Sequence, residues 1–450
     1  MKRFGGIRSP LQRRGLSRRT MLRGVGGAAA AGAAARALPA RGQEAVNLNI
    51  LLTNIPWTDA MLSTVAEAYN AETGGRVTIT GEQVPYEAHY EKLVLELSSG
   101  SSTFDIVTTD TIWIRQIVEN NWVVGLEPMK AADPSLPDLN WGDFLDGPYL
   151  YSTFDGQRWA VHATQSTPVF VYRKDLLEEI GMEAPPLWNW DQYRDAAAKL
   201  TKNGVFGAAM LLGGQDACMG DWMCRVMGFD ENPPGNDFLL DDDANPIFNV
   251  NDRGERAIER MREILPYCPE GVFNFDYPDG PPLLQEGKVA MAVHWLDMWP
   301  GLEDPAISNY VGKFGYTVAP TDNVSQHMVA GWGMFINSFS EQQQEAYRFL
   351  AWLLEGPAFH MFREAGETTL IYKPDLESAE VKQAIPVLGV YDDMAKVGTT
   401  YTAFPPYKVT NAAEVQRIVY EEVVAALSDD KTSKQAMKDA EDRVNEAMGR

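Results

Sequence analysis

Residues 167–180 read TPVFVYRKDLLEEI, an unbroken apolar run that gives way at once to a charged stretch with helical spacing. Thr167 to Tyr172 has the length and the β-branched and aromatic content of a buried strand. Lys174 to Ile180 is a short helix, stopped by Gly181 and the Pro185-Pro186 pair. Asn189 to Lys202 is a second helix with Tyr193, Ala197 and Leu200 on one face. A buried strand feeding helices is the unit of an α/β sheet.

The same alternation extends in both directions. Upstream, strands are predicted at Val46–Leu52, Val77–Thr80 and Phe104–Val107, with helices at Thr58–Ala71, Glu87–Ser99 and Trp113–Asn120. Downstream, Leu283–Glu286 ends a helix and Gly287-Lys288 turns into the strand Val289–Val293. Met334–Ile336 is another strand, followed by a helix at Glu341–Glu355 and two more at Ala413–Leu427 and Lys434–Met448. Strands alternating with helices predict a parallel sheet. At 450 residues the chain suits two domains. No low-complexity linker or repeat separates them, so the chain is expected to cross between domains through ordered strands.

Charge is unevenly placed. All ten basic residues up to Arg41 precede the first acid, Glu44, and residues 44–450 then carry 29 basic and 62 acidic side chains, a net charge of −33. A body that acidic argues against nucleic acid and anionic membranes as partners. Residues 1–43 read as an export signal. Ser17-Arg18-Arg19-Thr20-Met21-Leu22-Arg23 resembles the twin-arginine motif, Gly24–Ala35 is a weakly apolar run, and Leu38-Pro39-Ala40 offers a cleavage site. That run is too short for a bilayer span. The expected location is therefore periplasmic or the outer face of the membrane, and no leader cysteine marks a lipoprotein. The three cysteines, Cys218, Cys224 and Cys268, suit buried apolar positions, with a Cys218–Cys224 disulfide as the alternative. Their number excludes a zinc site of cysteines alone. Asp241-x-Asp243-x-Asn245 opens like a calcium loop, but Pro246 stands where the turn needs glycine and Asp252 where a bidentate Glu belongs. No metal or other cofactor is expected.

Four stretches carry a resemblance to the extracellular solute-binding proteins, family 1, the maltose-binding-protein-like sugar receptors of ABC importers. They are Phe104–Val107 with Asp110 and Trp113; Thr167–Leu177 with Gly181, Pro185-Pro186 and Trp188-Asn189-Trp190; Gln285–Met291 (QEGKVAM); and Gly331-Trp332-Gly333 with the helix that follows. The family's threonine before the tryptophan of the second stretch is missing here. The resemblance covers residues 46–450. It implies an α/β, two-lobed periplasmic-binding-protein fold with mixed sheets, its lobes joined by two or three crossovers near His162–Ser166, Met328–Ala330 and Leu370–Pro374. One lobe would be residues 44–163 plus 331–370, the other 164–330 plus 371–450. It also implies a monomeric, non-enzymatic receptor that captures a small carbohydrate and presents it, closed, to the importer's membrane subunits.

Ligands of open α/β sheets bind beyond the carboxyl ends of strands. Trp57, Trp113 and Trp295 follow predicted strands, Trp222 lies in a Gly-rich segment and Trp332 stands beside a predicted strand, and flat aromatic faces suit the C–H faces of a sugar. Asp110 and Asp297 follow strands and can accept paired hydroxyl hydrogen bonds; Asp110 also reads as a helix N-cap. Gln165, Ser166 and Gly331 fall at crossovers. Segments 53–58, 108–113, 164–168, 293–299 and 330–333 contain no Lys or Arg, which favours a neutral polyol over an anion. A cationic solute is the competing ligand class. A secreted glycosidase is the competing function, since paired carboxylates at arbitrary spacing escape sequence reading. Surface adhesion is a third, with aromatics spread over one face.

Overall fold

The computed structural model describes residues 44–184, 186–229, 238–405 and 407–450. The export-signal reading of residues 1–43 lies outside them. Residues 45–450 hold together as one unit.

Among the described residues twelve strands run in chain order: β1 (Val46–Thr53), β2 (Val77–Val84), β3 (Ile106–Asp110), β4 (Thr153–Phe154), β5 (Gln157–Arg158), β6 (Val161–His162), β7 (Pro168–Arg173), β8 (Met291–Trp295), β9 (Phe314–Val318), β10 (Gln326–Val329), β11 (Trp332–Ile336) and β12 (Thr400–Ala403). A five-stranded sheet has the order β2-β1-β3-β11-β6, and a three-stranded sheet has the order β8-β7-β9. β10 pairs with β12, and β4 with β5.

The expectation of a parallel sheet is only half met. β1 runs parallel to β2 and β3, but β11 runs antiparallel to β3 and β6, and β7 is antiparallel to both β8 and β9. An apolar run records burial on both faces and carries no information on direction. Long excursions, such as the one between β7 and β8, let the chain re-enter a sheet from either end. Strand registers shift for the same reason: residues 104–107 and 289–293 are read as strands, whereas the ladders run over Ile106–Asp110 and Met291–Trp295.

Helix assignments follow their periodicity closely. Trp190–Leu200 buries Trp190, Tyr193, Ala196, Ala197 and Leu200, one stripe at helical spacing. Asn189 Oδ1 accepts from the Gln192 amide while Gln192 Oε1 accepts from the Asn189 amide, a reciprocal cap that fixes where the helix starts. At the end of the chain, helices Ala412–Leu427 and Ser433–Ala447 bury Val415, Val419, Val423, Met437 and Val444.

Three chain segments run side by side between the two larger sheets. Ser166 and Ala330 exchange backbone hydrogen bonds at 2.8 and 3.1 Å, and the Gln165 amide donates to Thr369 O at 3.1 Å. Glycine at 331 permits this closeness, because a Cβ there would stand 2.3 Å from Thr164 O.

Candidate functional site

A cavity of about 570 Å³ opens where these segments meet the sheet ends. Asp110 is the last residue of β3, Trp332 the first of β11, and the antiparallel register sets them directly opposite each other. From the second sheet, Trp295 ends β8 and Asp297 follows it in a short 3-10 turn. Thr164, Ser166, Ala330 and Gly331 form the base. Tyr86, Asp216, the Asp276-Tyr277-Pro278 turn, Gly366–Thr369 and Phe404 complete the wall.

The aromatic groups are fixed from behind. Trp332, 9% exposed, meets Tyr86, His89 and Trp113 edge to face at 6.0, 5.4 and 6.0 Å between ring centres. Trp295, 6% exposed, packs against Phe404 at 5.3 Å and donates its indole N–H to Tyr277 Oη at 2.9 Å. Tyr277 in turn donates to Asp216 Oδ2. A line of donors therefore runs from one wall of the cavity to a carboxylate on another.

Among the described residues five carboxylates line the space, Asp110, Asp216, Asp276, Asp297 and Glu367, and no Lys, Arg or His lines it with them. Their donors are neutral. Asp110 accepts from the Thr111 amide and from Tyr86 Oη, so it both caps a helical turn and faces the cavity. Ser166 donates to Asp297, and Glu367 Oε1 accepts from the amides of Thr368 and Thr369 at 2.8 and 2.7 Å. Burial and the neighbouring charge of Asp216 push the Asp110 carboxyl up to about 7. Burial, with Asp276 and Asp297 nearby, pushes Asp216 up to about 6. Asp216 sits in the first turn of helix Gln215–Val226, where the helix dipole favours the charged form. Burial and like charge outweigh that dipole. Burial likewise raises Glu367.

Of the sequence candidates, Asp110, Ser166, Trp295, Asp297, Gly331 and Trp332 line the cavity. Four do not. Trp57 is fully buried against Phe362, and Trp222 is fully buried, donating to Gly254 O at 3.3 Å beside Phe248. Both are core residues: Trp57 sits in the short helix Pro56–Ala60 after β1 and Trp222 in the middle of helix Gln215–Val226, each ring on the inward face. Trp113 stands one layer back, behind Trp332. Gln165 is 3% exposed, and its side chain turns toward Gly147, where it would meet a Cβ.

Sequence reading missed Tyr86, Asp216, Asp276, Tyr277 and Glu367. One signal was available, the Gly213-Gly214 pair. A Cβ on Gly214 would lie 2.1 Å from Asp276 Oδ1, so glycine here lets the turn carrying Asp276 pack onto the start of the helix carrying Asp216.

The alternative pairing of Cys218 and Cys224 is not formed; all three cysteines are free and buried. Six residues apart on one helix, the pair is separated by about 9 Å of rise, beyond disulfide reach. Asp241 Oδ1 accepts from the amides of Asp243 and Asn245 at 3.0 and 2.8 Å, a side-chain-capped turn between Leu240 and Pro246. Among the described residues no His, Cys, Asp and Glu side chains gather as a metal site, and no helix is long and apolar enough to cross a membrane.

The profile of the bacterial extracellular solute-binding proteins matches residues 56–355. A "probable amino-acid ABC transporter periplasmic-binding protein" of Sinorhizobium fredii is 24% identical over 86% of each chain. The mannitol-binding protein of Pseudomonas aeruginosa is 24% identical over 72% of each. The crystal structure of an ABC transporter solute-binding protein from Agrobacterium radiobacter in complex with ribitol superposes with a TM-score of 0.75 at 23% identity, covering 90% of this chain and 99% of the other. The two-lobed fold with mixed sheets is thereby shared.

Proposed function

The chain belongs to the bacterial extracellular solute-binding protein family, and we propose from that premise that it captures a polyhydroxylated solute, a sugar or polyol, for an ABC importer. The observation that carries the proposal is the cavity itself. It joins two rigid aromatic faces to acceptor carboxylates at strand ends from both larger sheets. Aromatic faces bury the C–H surface of a sugar, and carboxylates fix its hydroxyls. The ribitol and mannitol in the names of its relatives support the class.

The lobes we propose are residues 44–163 plus 331–370 and 164–330 plus 371–450, since the five-stranded sheet draws on the first set and the three-stranded sheet on the second. Three adjacent segments between them permit hinge closure. Ligand contacts would be complete only in the closed form, which the membrane subunits would read. Export by Arg18 and Arg19 would place the receptor outside the inner membrane; undiminished export of the Arg18→Lys, Arg19→Lys variant sinks that part. We read the cavity as a binding site and not a glycosidase centre, because the family is one of binding proteins.

Calorimetry against mono- and oligosaccharides and polyols, with the sugar recovered afterwards, tests the whole reading. Saturable one-to-one binding with intact sugar is expected. Hydrolysis of the sugar, or no binding across the panel, overturns it.

A further inference from the structure

We propose that the solute is a polyol or sugar carrying an ammonium group, an amino-polyol or amino sugar, held among Asp110, Asp216, Asp297 and Glu367. This rests on the cavity being the ligand site, and goes further by assigning a charge to the ligand.

The first observation is the absence of a counter-charge. Among the described residues none of the five lining carboxylates makes an ion pair, and all their donors are hydroxyls and amides. A ligand that fills the cavity strips water from these groups. A neutral polyol returns hydroxyl donors but no charge, and carboxylates left dry without a counter-ion are strongly disfavoured. One ammonium returns three donors and a positive charge. Anions are repelled by the same carboxylates.

The second observation is the unused bonding capacity of residues that line the cavity. Glu367 is only 5% exposed, receives all its hydrogen bonds on Oε1, and keeps Oε2 without a partner. Asp216 Oδ1 is likewise buried without a partner. The indole of Trp295 and the ring of Tyr277 stand in the same wall and can hold a cation over a π face. The carboxylates do not gather as a metal cluster. They spread around a cavity of about 570 Å³, which suits an organic cation that also has hydroxyls to place.

The titration of the site adds a signature. Asp110 faces Tyr86, Tyr151, Asp216 and Asp297, and Asp216 faces Tyr277, Asp276 and Asp297; among the described residues no basic group acts on either. An arriving cation lowers their proton affinity, so binding near pH 6.5 releases protons and, for an amine that stays protonated across the range, such as glucamine, tightens as pH rises toward 8.

The test is isothermal calorimetry with matched probes: sorbitol, glucamine and hexylamine, then glucose and glucosamine, each in two buffers of different ionisation heat at pH 6.5 and 8. Glucamine or glucosamine is expected to bind at least tenfold tighter than its neutral counterpart, with proton release at pH 6.5. Glu367→Gln and Asp297→Asn should each erase most of that preference. Neutral probes binding as tightly as the amines overturn the inference and leave the carbohydrate reading standing. Hexylamine matching glucamine, or no binding by any probe, overturns both.

Discussion

Asp216 and Asp221 lie on the same helix, Gln215–Val226, and are handled in opposite ways. Asp221 is sealed: its side chain is 2% exposed, Oδ1 meets the Arg225 guanidinium at 3.2 Å, and Oδ2 accepts from the Leu211 amide at 2.9 Å. Arg225 in turn lies over the Trp190 ring at 4.2 Å. Asp216, one and a half turns earlier, faces the cavity with a tyrosine hydroxyl as its donor and one oxygen empty. Other buried acids follow Asp221. Glu345 pairs with Arg76, Asp375 with Arg363 and His360, and Glu422 with Lys431 and Arg443. Asp105 has no cation, but both its oxygens are filled, by the Asn49 amide and by Ser340 Oγ. Buried charge is compensated internally where it serves the fold. Around the cavity the compensation is left to come from outside.

The sharpest way to break this contrast is to remove the internal cation. Arg225→Met should destabilise the protein by about 3–5 kcal/mol, because Asp221 is left buried without its partner. Urea unfolding reads it directly. A loss below about 1 kcal/mol would mean that Asp221 was never dependent on the pair, and the two halves of the helix would no longer differ. Trp222→Ala belongs to the same class. It empties a fully buried site and should lower stability by about 3–5 kcal/mol. Ligand affinity should hold, since Trp222 does not line the cavity.

The tryptophans of the cavity should do the reverse. Trp295→Ala and Trp332→Ala are expected to weaken ligand binding by about 1–3 kcal/mol, the scale of a lost aromatic contact, or about 5- to 150-fold. Both are also packed, so some stability is lost too. What distinguishes them from Trp222 is that calorimetry at a temperature where the variants are folded still shows the defect. If both bind as tightly as the parent, these rings are not the ligand platform.

The two kinds of tryptophan were not separable from sequence, and the reason is physical. Trp57, Trp295 and Trp332 sit at or near ends of regular elements and Trp222 inside a helix, but which way each ring faces depends on which neighbour arrives from afar. Phe362 closes over Trp57 from more than 300 residues away. Helix positions such as Tyr193 and Leu200 were legible because period and burial are local. Asp110 and Trp295 were legible because sheets bind ligands beyond the carboxyl ends of their strands, and Trp332 through the resemblance carried by Gly331-Trp332-Gly333. Asp216, Asp276 and Glu367 were not, because each comes from a loop or helix start whose place in the wall is a tertiary outcome. Sheet direction was hidden for the same reason: Val169 and Val171 record burial and nothing more.

The smallest expected effect is a pH slope in the stability of the ligand-free protein. Asp110 and Asp216 stand at about 7 and about 6 in the folded state, against about 3.9 for an unfolded aspartate. Between pH 4 and pH 7 the folded protein therefore holds protons that the unfolded chain has lost. Stability from these two groups is greatest below pH 4, falls as pH rises through that window, and is flat above it. The buried histidines act in the opposite sense. His162 and His327 are pushed down to about 3 and about 4, so the neutral folded state gains stability as pH rises from about 4 to 6.5. The raw profile mixes the two trends, and a variant must separate them. Asp110→Asn, Asp216→Asn removes only the carboxylate part. Because both side chains are partly solvated by the open cavity, the double variant should gain about 1–2 kcal/mol over the parent at pH 8 and nothing at pH 4. Urea unfolding at both pH values measures the difference. An equal offset at the two pH values would show that these acids are not held against their charge, and Asp216 would then be no different in kind from Asp221.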